Sequence, residues 1–144
     1  MRPASHPAGF TLYEIVLVIT LMLIAGVLAA PRYVALRDRI AVDGAASGIV
    51  RALVDARAAA IRLGARAAVA VDTQTASLAV HMQGDTLAQI RLRDLFGVAL
   101  TSSRDSMAYS ATGLGFGATN SSLVVRRGAA AETVSVSRTG RVRR

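Results

Sequence analysis

Residues 10–30 (FTLYEIVLVITLMLIAGVLAA) form an uninterrupted run of apolar and small side chains in which, apart from the Tyr13 phenol, Glu14 is the one ionisable group. As a helix, such a run is about 31 Å long, which matches the roughly 30 Å hydrocarbon core of a bilayer. A chain of 144 residues that commits this much length to one apolar helix has room for a single further domain. The alternative is a secretory signal peptide, whose apolar region is usually about 7 to 15 residues and ends at a small-residue cleavage site. This run is longer and carries an acid, and a cut after Ala30 would place Pro31 directly behind it.

Glu14 sharpens the reading. An ionised carboxylate in a membrane span costs about 2.5 to 3.5 kcal/mol on insertion scales and is expected to have a partner. No Arg lies within one helical turn. A cut between Gly9 and Phe10 would create an amino group at Phe10, one turn from Glu14.

Composition removes most catalytic chemistry. The chain is 53% hydrophobic and 18% charged, below the roughly 25% charged of an ordinary soluble domain. It has no Cys, which excludes disulfides, thiolate metal sites and Cys nucleophiles, and its two His, His6 and His81, supply little for a metal centre or a Ser/His/Asp triad. All seventeen basic side chains are Arg against nine acids, and the net charge of +8 favours anionic partners. No reaction, metal or cofactor is assigned.

The stretch Gly9-Phe10-Thr11-Leu12-x-Glu14, followed by an unbroken apolar helix, resembles the class III signal of type IV pilins and type II secretion pseudopilins. The resemblance implies that a prepilin peptidase cuts after Gly9 and methylates Phe10, and that Glu14 registers one subunit on the next in a filament. It also implies that Pro31 is the family's helix-kinking Pro; a Pro inside a helix removes one backbone hydrogen bond. Arg2 precedes the span and Arg32, Arg37 and Arg39 follow it, so charge counting alone would place the carboxyl side inside. The resemblance implies the opposite: a single pass through the bacterial inner membrane with the carboxyl-terminal domain in the periplasm.

Beyond Pro31, Val42, Ala46, Ile49, Leu53, Ala56, Ala60 and Leu63 alternate at spacings of four and three, one apolar stripe along a helix that Gly64 is placed to end. Gly44 and Gly48 make a small-x-x-x-small pair on another face that allows close helix approach, although in so Ala-rich a segment chance accounts for it as well. From residue 67 the pattern turns to period-two alternation, predicting strands over 67–72, 77–83, 87–92, 122–127 and 133–137. Turns are expected at 72–75, 84–85 and 128–132, and 96–120 is Gly- and Ser-rich without clear periodicity. The predicted class is α+β, type IV pilin-like: a long amino-terminal helix packed on an antiparallel sheet. Its divisions are a leader over 1–9, a membrane and filament helix over 10–30, an amphipathic helix over 31–64 and a β domain over 65–144.

Two further segments narrow the resemblance. Residues 55–64, DARAAAIRLG, are similar to the helix end of the H-type minor pseudopilins and FimT minor pilins, the GspH/FimT family. Val134-Ser135-Val136-Ser137 with Gly140-Arg141-Val142 resembles that family's closing strand pair. The implied partners are a prepilin peptidase, the inner membrane and other pilins or pseudopilins in a filament.

Residues 113–117, GLGFG, superficially suggest a nucleotide loop, but they lead into a strand rather than a helix. Arg138, Arg141, Arg143 and Arg144 crowd the carboxyl terminus, and with Arg126 and Arg127 they could form one basic patch. Such charges protect a sheet edge from pairing; alternatively they contact DNA phosphates, and Gly140-Arg141-Val142-Arg143 resembles the GRxR tail of DNA-binding FimT minor pilins. The leading expectation is a minor pseudopilin of type II secretion. The alternatives are a FimT-like type IV minor pilin binding DNA for natural transformation, and a soluble periplasmic protein behind an ordinary signal peptide.

Overall fold

The computed structural model describes residues 9–116 and 120–144. Helix α1 runs over Leu12–Leu63, with Pro31 inside it. The chain divides into two compact units, the first ending at Val34 and the second spanning Ala35–Arg144.

In the first unit the apolar side chains of α1 are exposed. Leu12, Met22, Val27 and Leu28 are each about two-thirds or more exposed. This is the one helix among the described residues that is long and apolar enough to cross a membrane. Its Thr20 hydroxyl donates to the Val16 carbonyl at 2.8 Å, so the one hydroxyl in mid-run is satisfied within the helix.

In the second unit α1 turns one stripe inward, burying Val42, Ala46, Ile49, Leu53, Ala56 and Ala60 as their spacing predicts. Leu63 departs from that expectation and is 57% exposed, because the helix ends there. Gly64 takes a left-handed φ of 62°, its N–H donates to the Ile61 carbonyl, and the Ala65 N–H reaches back to the Ala60 carbonyl. That pair of bonds is a Schellman stop, which favours glycine.

The strands are β1 (Ala67–Asp72), β2 (Ser77–Met82), β3 (Asp85–Arg91), β4 (Ala99–Ser102), β5 (Ser106–Tyr109), β6 (Gly115–Phe116), β7 (Ser121–Arg127), β8 (Ala130–Val136) and β9 (Val142–Arg143), with a short helix α2 (Leu92–Phe96) after β3. They form two antiparallel sheets, ordered β3-β2-β1-β5-β6 and β4-β7-β8-β9, where the sequence pattern suggested a single meander. The division arises in the stretch without clear periodicity, where β4 joins the second sheet and β5 and β6 return to the first.

Three boundaries also differ. Leu92 leaves the predicted strand to open α2 and is fully buried. The β2–β3 loop is Gln83 and Gly84, with φ of 53° and 99°, the two left-handed residues of a type I′ hairpin whose twist suits the strands. The turn predicted over 128–132 shrinks to Gly128 and Ala129, since Arg127 already pairs with Ala130. Alanines carry little turn information, so the ladder simply continues through them.

The core joins the α1 stripe to the inward faces of both sheets, with Ile49, Leu53, Leu78, Leu92, Leu123, Val125, Val134 and Tyr109 among its fully buried large side chains. Each contributes roughly 1.5 to 3 kcal/mol by burial.

Candidate functional site

At the start of α1, Thr11 is the residue before the first helical turn and Glu14 lies in that turn. The Glu14 carboxylate accepts from the Thr11 N–H and from the Thr11 hydroxyl, both at 2.8 Å, while the Glu14 N–H donates to Thr11 Oγ1 at 3.3 Å. This is a capping box, in which Thr and Glu satisfy each other's orphan backbone donors. Sequence reasoning sought a charged partner for Glu14 and overlooked Thr11, although T-x-x-E before an apolar run is a readable signature. Gly9 and Phe10 precede the box and are both exposed. Among the described residues, none lies within 4 Å of where a Gly9 side chain would stand. Residues 1–8, the rest of the expected leader with His6, lie outside the described residues.

The six Arg residues of the predicted basic patch do not share one surface. Along β7, Ser121, Leu123 and Val125 face the core, so Arg127 turns inward and Arg126 outward. The Arg127 guanidinium pairs with Asp38 on α1 at 3.0 Å and also donates to the Phe96 carbonyl. Arg144 is likewise drawn onto α1. It pairs with Asp43 and Glu132, and donates to the Ser47 hydroxyl at 3.0 Å.

Arg143 stands opposite Ser135, which stands opposite Ser122. Four positions along β7 and two strand spacings then separate Arg126 from Arg143, about 16 Å on one solvent face. Arg138 and Arg141 belong to the preceding turn and are exposed. In that turn the Ser137 N–H donates to the Arg141 carbonyl, the Gly140 N–H to the Ser137 carbonyl, and the Arg141 N–H to the Ser137 hydroxyl.

Gly140 has a structural reason of its own. Its φ is 76°, and an added Cβ would stand 3.0 Å from the Gly113 carbonyl and 3.1 Å from the Tyr109 ring. The glycine of the GRxR stretch is therefore required by packing, whatever the arginines bind. Gly113 is a turn residue with φ of 76°, its N–H bonded to the Ser110 carbonyl; the stretch leads into β6, and Gly117 lies outside the described residues. His81 sits on β2 with Nδ1 3.0 Å from the Thr86 hydroxyl, an exposed cross-strand bond.

Two features escaped sequence reasoning. Gly44 and Gly48 clear space for the second unit's own side chains: a Cβ would come within 2.8 Å of the Phe96 ring at Gly44 and 3.0 Å of Ile90 at Gly48. The Arg57 Nε, further along α1, and the Tyr109 hydroxyl on β5 are buried with no hydrogen-bond partner among the described residues. Burial pushes the Tyr109 phenol up from its ordinary range, and the Arg57 charge pulls the other way.

No family profile and no curated protein matches the sequence. Solved structures do match the fold. The type IV minor pilin FimU of Pseudomonas aeruginosa superposes with a TM-score of 0.60 at 16% identity, over 73% of this chain and 88% of that one. The minor pseudopilin EpsH of the Vibrio cholerae type 2 secretion system gives 0.59 at 14% identity, over 73% and 93%. A second EpsH structure gives 0.57 at 16%, over 71% and 94%. The fold is that of the minor pilins and minor pseudopilins. The expected α+β class, a long amino-terminal helix packed on antiparallel β-structure, is met, with two sheets in place of the single one expected.

Proposed function

We propose that this chain is a minor pseudopilin of the GspH/FimT family, a non-catalytic subunit of the periplasmic filament that drives type II secretion of folded proteins. A prepilin peptidase cuts after Gly9 and methylates Phe10. Residues 10–30 anchor the subunit in the inner membrane, the β domain lies in the periplasm, and Glu14 docks it among other pseudopilins. Pro31, inside α1, serves as that helix's kink position.

One observation carries the reading. The exposed apolar first part of α1 opens with a Thr11–Glu14 box directly behind Gly9 and Phe10, on a chain with the minor pilin fold. Within Thr11's reach the carboxylate is held at the helix start, where a neighbouring subunit's amino group can meet it. Glu14→Ala should leave the cleaved terminus intact and reduce co-purification with the assembled filament severalfold. Full incorporation of that variant would refute the docking role. Gly9→Val should block processing, and a Phe10 terminus in that variant would refute the assigned cut.

The second reading is a type IV minor pilin that binds DNA during transformation. It is favoured by Arg141 and Arg143, which are exposed in and beside the 137–141 turn while Arg127 and Arg144 are committed to α1. A salt titration with duplex DNA tests it. Replacing both with Ala should lower the slope of log K against log salt by about two. Equal slopes would leave these two side chains as edge protection.

A further inference from the structure

The outward face of the first sheet carries a basic trough on the opposite side of β1 from the core. One hollow of about 290 Å³ is lined by Arg66, Ala68, Arg104, Ser106, Ala108 and Phe116 among others. A second, of about 400 Å³, shares Arg66 and Ala68 with it and continues over His81 on β2 and Gln83 in the β2–β3 loop. Ala68 pairs with Ala108 on one side and His81 on the other, so the floor crosses three strands, β5, β1 and β2. Ala68 and Ala108 keep the floor low over β1 and β5, where another backbone can lie on it.

Both guanidiniums are positioned in advance. Arg66 lies over the Phe116 ring at 4.6 Å from its centroid, a cation–π contact that fixes the plane of the fork. Arg104 donates through Nε to the Asn120 carbonyl at 3.1 Å, and the Ser102 hydroxyl brackets its backbone, donating to the Arg104 carbonyl and accepting from the Arg104 N–H. Neither Arg is in an ion pair among the described residues, and no acid lines either hollow. Elsewhere the fold spends acids on its anchoring arginines, as at Arg127 and Arg144.

We propose that this trough is the docking site for an extended acidic segment of another protein, two of whose carboxylates pair with Arg66 and Arg104. Planar forks suit bidentate carboxylate recognition, and charge complementarity names the partner's chemistry. The occupant is not a second copy of this chain. Its nine acids are scattered, with no two closer than the five positions from Asp38 to Asp43. A nucleic acid strand fits less well, because the Arg66 guanidinium covers a face of Phe116 that a base would stack on. The inference goes beyond the filament reading and does not depend on it.

The test uses the full chain in detergent micelles and a fluorescent, alternating Gly/Glu peptide, beside its Gly/Gln counterpart and oligo(dT). The Glu peptide should bind at low salt and the Gln peptide should not. Arg66→Gln/Arg104→Gln should weaken the Glu peptide by about tenfold or more, and Arg66→Lys/Arg104→Lys, which keeps the charge and loses the forks, by a few fold. Arg141→Gln/Arg143→Gln should bind as the parent does. The proposal is overturned if the Glu peptide does not bind, if the Gln variant or Gln peptide binds equally, or if oligo(dT) displaces the Glu peptide at equal concentration. The last result would reassign the trough to nucleic acid. Loss of filament incorporation would register in none of these readings.

Discussion

Replacing Arg127 tests whether the basic carboxyl half is built for packing or for binding. Its side chain is 21% exposed and that of Asp38 is 14% exposed, so the 3.0 Å pair is largely removed from water. Arg127→Met strands the Asp38 carboxylate and takes a donor from the Phe96 carbonyl. Removing one partner of a fully buried pair costs about 3 to 5 kcal/mol. The residual exposure lowers this to about 2 to 3 kcal/mol, or roughly a 10 °C drop in Tm for a domain of this size. Urea unfolding of the Ala35–Arg144 unit, followed by circular dichroism, reads the change. Asp38→Asn/Arg127→Met removes the stranded charge and should return to within about 1 kcal/mol of the parent, giving a clear coupling in the double-variant cycle. A loss below about 0.5 kcal/mol for Arg127→Met, with no coupling to Asp38, would mark the pair as a solvated surface contact and refute the argument.

Other substitutions probe separate parts of the same domain. Gly113→Ala puts a side chain at a left-handed φ of 76° and displaces the end of the Ile61 side chain, and should cost about 1 kcal/mol or more in the same unfolding assay; an unchanged midpoint would show that the turn relaxes freely. Asp72 is held below the usual carboxylate range by the Thr75 hydroxyl, then by the Thr75 and Gln74 N–H groups. Its contribution to stability is therefore present above the unfolded value near pH 3.9 and is lost as pH falls through the lowered folded value. Asp72→Asn should flatten that part of the acid limb, and an identical acid limb would contradict the assignment.

The sequence made some of this architecture readable and concealed the rest for identifiable reasons. The α1 stripe from Val42 to Ala60 and the first two strands follow from periodicity, because each buries one face against a single core. The split into two sheets was not readable, since β4, β5 and β6 have two to four residues each, too short to express a period. At the site, Gly9, Phe10 and Glu14 stood out as a contiguous motif, and Thr11 was missed only because a charge was sought where a cap sufficed. The basic patch dissolved because neighbouring strand positions face opposite ways: Arg126 and Arg127, written side by side, end on different surfaces. Arg66, Arg104 and Phe116 are far apart in sequence and meet only through the β1–β5–β6 ladder.

The central claim, a processed and membrane-anchored filament subunit, is tested most directly by the mass of the mature amino terminus. Protein recovered from membranes of a host with a prepilin peptidase should begin at Phe10 and carry one added methyl group on its amino nitrogen. A chain beginning at Pro31 or Ala30, or one retaining residues 1–9 in the assembled filament, would contradict the account.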